Sequence, residues 1–214
     1  MHRTVEGTTP YAWPYDALLD PRRLALVVVL PAAGYEQLVD EADGPSRPGL
    51  ESVLSRIGEL AGATFSAGGA VVEVTTAPPV RGHANGVPAP DRSASLGLRG
   101  PAHRIASAGV DGFYASPLDA TLRALGRDQL VVCGQWLETG VHSTMRSAND
   151  RGYECLLAFD ACVPYDPDLA AASRSQIEMS GGIFGAVGES AAVIDALHLV
   201  APSSDHHVPE RTTR

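Results

Sequence analysis

The chain's 214 residues, 44% of them apolar, supply buried surface for one full core and leave little for a second. Sixteen basic residues against 25 acidic ones give a formal charge of −9, which sets aside nucleic acid and anionic membrane as partners. No apolar stretch reaches the roughly 18 residues of a membrane helix and the N-terminus carries no apolar signal block, so the expectation is a soluble, cytoplasmic protein.

Every basic residue is an arginine. A chain without lysine cannot itself supply a Schiff base, a phosphate-loop lysine or a lysine acid or base. Cys133, Cys155 and Cys162 show neither CxxC nor His-linked metal spacing, and their odd number argues against a disulfide framework; buried, reduced thiols are expected.

Residues 1–23, rich in Thr, Pro and Tyr without a sustained period, read as an arm lying on a domain over 24–200. That domain opens on Leu24–Leu30, a continuous apolar run stopped by Pro31, as expected of a strand buried on both faces. Leu50, Val53, Leu54, Ile57 and Leu60 recur at helical spacing and predict a helix over 49–61. Ala70–Thr76 is a second buried strand, closed by Pro78 and Pro79. From 80 to 101 the composition turns to Gly, Pro, Ser and Arg, which predicts a flexible surface loop placed to act as a lid. Ser116, as N-cap, and Pro117, at the first helical position, start a helix that runs to Leu125 and ends at Gly126. Further elements follow: strand 130–133, helix 140–151, strand 155–159, helix 168–179, strand 183–187, helix 190–199 and a mobile tail over 201–214. This alternation predicts a three-layer, doubly wound α/β fold with a mainly parallel sheet and its ligand site at the carboxyl ends of the strands.

The segment Gly126-Arg-Asp-Gln-Leu-Val-Val-Cys-Gly134, followed by Gln-Trp-Leu-Glu-Thr-Gly-Val141, Ala148-Asn-Asp-Arg-Gly-Tyr153 and Phe159-Asp-Ala-Cys162, resembles the isochorismatase-like hydrolases. Ser116-Pro117-Leu118, Thr76-Ala77-Pro78-Pro79 and Ala25-Leu26-Val27 add to the resemblance, which spans about Asp20 to Leu199. It is nearest in character to the branch that holds the isochorismatases of phenazine and catecholate-siderophore pathways. The resemblance implies the fold above, a homo-oligomer and a site at the strand ends. It also implies where chemistry belongs, and there this chain departs: the family's catalytic Asp position is Leu30, its Lys position is Ser107 and the amidase members' Cys position is Gly140. A substrate-binding Gln becomes Pro78 and an aromatic Tyr becomes Trp136. Losing a general acid typically costs about two to four orders of magnitude in rate, and losing a positioned charge a comparable amount. Ordinary family turnover is therefore not expected, and an apolar pocket floor favours a larger or less charged ligand than isochorismate.

Three residues are candidates to move a proton. Asp111 falls near the missing Lys and offers a displaced carboxylate, or else serves a Val-Asp-Gly turn. Glu138 lies in the loop after the third read strand, where an apolar pocket would raise its pKa; its other reading is an exposed or interface residue. His142, in the first turn of the next helix, is an acid or base if it faces the sheet and otherwise a surface or interface histidine. Leu30, Pro78, Ser107, Phe113, Tyr114, Trp136 and Gly140 are the candidate substrate-binding residues. His83 alone makes no metal site, and Gly181-Gly-Ile-Phe-Gly185 is not placed as a dinucleotide fingerprint, so neither metal nor cofactor is inferred. Two functions remain open: an enzyme of specialised, natural-product biosynthesis acting on a small, largely apolar substrate by proton transfer and enclosure, or a catalytically inactive member that binds a small molecule or a protein partner.

Overall fold

The computed structural model describes residues 3–32, 50–77, 96–98 and 102–200. In chain order these form β1 (Leu24–Pro31), α1 (Leu50–Ser66), β2 (Ala70–Thr76), β3 (Ala102–Ala106), α2 (Leu118–Ala124), β4 (Gln129–Gln135), a π turn (Leu137–Val141), α3 (His142–Asp150), β5 (Glu154–Val163), a 3-10 turn (Pro167–Leu169), α4 (Ala170–Glu178), β6 (Ala186–Gly188) and α5 (Ser190–Val200). All six strands are parallel, in the order β3-β2-β1-β4-β5-β6. The order reverses between β1 and β4, which creates a switch point at their carboxyl ends.

The apolar run in β1 exists because both of its faces are covered: every residue from Leu24 to Pro31 is buried. Helix α1 packs with α5 and over β5. The β1–β2 and β4–β5 crossovers run in opposite directions across the sheet, so right-handed connections place α1 and α3 on opposite faces. Among the described residues no helix is long and apolar enough to cross a membrane.

Several boundaries differ from the sequence expectation. Strand β3 is absent from it, because an edge strand buries only Ile105 of Ala102-His-Arg-Ile-Ala and so carries no apolar run. The last strand is Ala186–Gly188 and not 183–187. The Ile183, Phe184 and Gly185 amides are spent on Ser180 O, Ser180 Oγ and Gly182 O, closing a turn that leaves Ile183 exposed and unable to join the sheet. Helix α3 starts at His142, after the π turn, and the helix expected over 168–179 is a 3-10 turn followed by α4. The loop read over 80–101 and the tail from 201 lie outside the described residues, apart from 96–98. There Leu96 and Leu98 pack on the core, and the Leu96 amide donates to the buried Glu73 carboxylate at 3.1 Å. The arm buries Val5, Trp13 and Leu19, and Thr9 exchanges two backbone hydrogen bonds with Val187. That antiparallel bridge covers the exposed edge of β6.

Candidate functional site

The carboxyl ends of β2 and β4 meet the π turn in a crevice lined by Thr76, Ala77, Val110, Gln135, Trp136, Thr139 and Gly140. Its floor is tight. Gly134 of β4, at φ +119°, lies so close to β1 that a Cβ there would sit 2.0 Å from Val29 O. A Cβ on Gly140 would lie 3.1 Å from Val29 Cγ1 and 3.2 Å from Gln135 O. The Gln135–Trp136 peptide is cis. The remaining space is about 10 Å³, room for a single water at most.

Neutral groups make up this wall. Leu30, at the end of β1 and outside that lining, is 4% exposed, and its carbonyl accepts from the Oγ1 of the lining residue Thr76 at 3.2 Å. Trp136 is buried and meets Tyr165 edge to face at 5.9 Å. Thr139 Oγ1 is buried without a hydrogen-bond partner among the described residues. Sequence reasoning passed over Thr139, although it stands between Glu138 and Gly140, because a lone Thr carries no chemical signature of its own.

The three candidate proton carriers point to separate places, and none lines the crevice. The Asp111 carboxylate accepts from the Phe113 amide at 2.9 Å and from Ser147 Oγ at 2.7 Å. Ser147 is in turn contacted by Arg151, whose guanidinium lies 4.8 Å from the Phe113 ring centre. Glu138 accepts from the Tyr165 and Asp166 amides at 2.7 and 3.3 Å, joining the π turn to the segment after β5. His142 is buried, with Nε2 3.1 Å from Ser173 O and Nδ1 accepting from Arg146 Nε at 3.3 Å. Those partners select the neutral Nε2–H tautomer.

The remaining candidates also divide. Ser107 is fully buried; its hydroxyl accepts from the Gly109 amide at 3.1 Å and lies 2.5 Å from Asp111 O, the nearest carbonyl to which it can donate. It thereby closes the 107–114 loop. Phe113 is buried against Tyr153 at 5.8 Å, whereas Tyr114 is 62% exposed. Pro78 lies outside the described residues. Burial holds the thiols of Cys133, Cys155 and Cys162 well above the ordinary cysteine range, which disfavours the thiolate. Among the described residues no three His, Cys, Asp or Glu side chains cluster to hold a metal.

The His142 environment carries a measurable pH dependence. Burial first, opposed by the Ser173 bond and reinforced by Arg146, holds its pKa below the usual imidazole value. The unfolded chain therefore takes up the proton at a higher pH than the native one. Stability is full above about pH 6.5 and falls as pH drops from there toward the lowered native pKa. Urea unfolding at about pH 7.5 and 5.5 is expected to show that fall, and His142→Gln to reduce it; an equal fall in the variant would remove His142 from the explanation.

The sequence model described as the isochorismatase domain matches residues 36–191. A stretch of 50 residues is 42% identical to the uncharacterized isochorismatase family protein YecD of Escherichia coli O157:H7, covering 23% of this chain and 27% of the relative. The match thus spans about a quarter of that curated relative's length. In structure the chain is similar to a cysteine hydrolase from Pseudomonas syringae pv. phaseolicola 1448A, with TM-score 0.68, 20% identity and coverage of 85% and 95% of the two chains. It is also similar to an isochorismatase family protein from Burkholderia thailandensis (TM-score 0.65, 24% identity, 84% and 97% coverage). A nicotinamidase from Staphylococcus aureus shares the fold at TM-score 0.53 and 16% identity, over 78% and 99% of the chains. With the domain model covering well over half of the sequence and the parallel sheet and crevice where that architecture puts them, the chain belongs to the isochorismatase family.

Proposed function

We propose that this chain is a family member that has kept the scaffold and given up the family's hydrolysis, acting as a non-catalytic binding or interaction protein. One observation carries the reading: the described residues that line the crevice are all neutral, Gly140 standing where the resemblance places a Cys, while Leu30 and Ser107, buried outside that lining, stand where it places an Asp and a Lys. Among the described lining residues there is no carboxylate, imidazole or thiol, so what those residues offer is orientation and exclusion of water in a space of about 10 Å³. Losses of general acid and positioned charge together amount to about four orders of magnitude or more.

A second reading, a repurposed enzyme of specialised biosynthesis, draws on the unpartnered Thr139 hydroxyl beside Trp136. Glu138, Asp111 and His142 support it less, since each carboxylate or ring is engaged by protein groups away from the crevice. Hydrolysis of isochorismate and of nicotinamide by the full chain separates hydrolysis from its loss. No turnover above buffer is expected; turnover that Thr139→Val alters would overturn the proposal.

A further inference from the structure

At the amino-terminal end of the sheet, opposite the crevice, the arm, the last turn of α3, the start of β5 and the turn after α4 line an open surface cavity of about 300 Å³. That is the lower end of the range used by small-molecule sites. Tyr11, Tyr15, Tyr153, Asn149, Glu154 and Gly182 contribute to its wall. The Tyr11 and Tyr15 rings meet edge to face, 5.6 Å between centres and 71° between planes, and so form a corner of two π faces. Gly182 makes room for that corner: at φ +102°, a Cβ on it would lie 3.0 Å from two carbons of the Tyr11 ring.

Two of the lining side chains, Asn149 and Glu154, present acceptors. Asn149 Nδ2 donates to Met145 O and Phe184 O, both at 2.9 Å, which fixes the amide and leaves Oδ1 to accept. The Glu154 carboxylate takes the Tyr15 amide through Oε1. Arg23, the arginine that acts on Glu154 electrostatically, is itself paired with Asp16 and Asp128 at 2.9 Å each. Those two carboxylates also act on Glu154, so the local field is negative. Burial penalises the carboxylate, and a positive ligand would relieve that penalty. Aromatic faces around a carboxylate suit one ligand chemistry above others, a cation with an organic shell.

We propose that this cavity binds a small organic ammonium ion, its charge paired with Glu154 and its N-alkyl groups against Tyr11 and Tyr15. The site is at the other end of the sheet from the crevice and stands whether or not the family's hydrolysis is lost. The test titrates the full chain with choline and with its uncharged isostere, in which carbon replaces the quaternary nitrogen, following amide shifts by NMR and heat by calorimetry. Choline is expected to saturate with a Kd on the order of 1 mM or lower, moving the Gly152, Gly181 and Gly182 amides. The isostere should bind about tenfold more weakly or worse. Tyr15→Ala, which removes a ring that is 82% exposed and leaves the core alone, should weaken choline about fivefold. Glu154→Gln should weaken it about tenfold. If Glu154→Gln fails to fold, the isostere and Tyr15→Ala still decide. No saturation by about 10 mM choline, equal binding of the isostere, or affinity unchanged in Tyr15→Ala would overturn the proposal.

Discussion

Gly134→Ala is expected to leave little or no folded protein, with unfolding free energy lowered by about 4 kcal/mol or more. The cause is contact and not only conformation. A methyl at this position would lie 2.0 Å from Val29 O and 2.8 Å from Val29 N, both backbone atoms of the central strand. Neither can retreat without breaking the Val29–Gly134 register that joins β1 to β4. Gly126→Ala is the control: its φ of +67° is also left-handed, yet nothing lies within 4 Å of the added carbon. It should cost only about 1 kcal/mol. Urea midpoints measure the difference, and equal losses in the two variants would show that the strands do not approach as closely as described.

Leu30→Asp is the second large effect. It restores the carboxylate that the family resemblance implies, and it is expected to destabilise the protein by about 4 kcal/mol at neutral pH without creating hydrolysis. Loss of the buried leucine accounts for about 2–3 kcal/mol, and the unpaired carboxylate for the rest. No cation waits for it in the described crevice, and the Ser107 hydroxyl is committed to its own loop. Burial raises the introduced group's pKa, so the native state favours its neutral form. The deficit should therefore be smallest at pH values below the unfolded pKa of about 3.9 and grow as pH rises above it. Leu30→Asn should show no such slope; a matching slope there would assign the pH dependence to another group, and a stable and active Leu30→Asp would mean that the crevice already holds a compensating charge.

The central sheet was legible because its signal is local. Leu24–Leu30 and Ala70–Thr76 announce strands with two covered faces, and the structure puts them at β1 and β2. Strand β3 was not legible, since an edge strand with one buried residue looks like loop. Ile183 differs for the reverse reason: it is apolar and so reads as strand, but its fate depends on the Ser180 turn. At the site, Leu30, Trp136 and Gly140 were accessible through family spacing, and the last two line the crevice. Thr76 enters the resemblance only as part of its turn, and Val110 and Thr139 carry no signal at all, because which neutral side chains face a cleft is decided by backbone geometry that composition does not encode. For Glu138, Asp111 and His142, the sequence supplied the chemistry and the fold supplied the partners, Tyr165, Ser147 and Ser173.

The neutral electrostatic character of the crevice decides whether it can catalyse hydrolysis, and a thiol placed there reports that character directly. In Gly140→Cys the new side chain occupies the position of the family's nucleophile, while the three native thiols are buried and titrate far above the ordinary range. Titration of the variant by thiolate absorbance is predicted to place the introduced thiol above the free value of about 8.5, as burial among neutral groups requires. An apparent pKa below about 7 would reveal an activating cation or base at the crevice and would contradict the account.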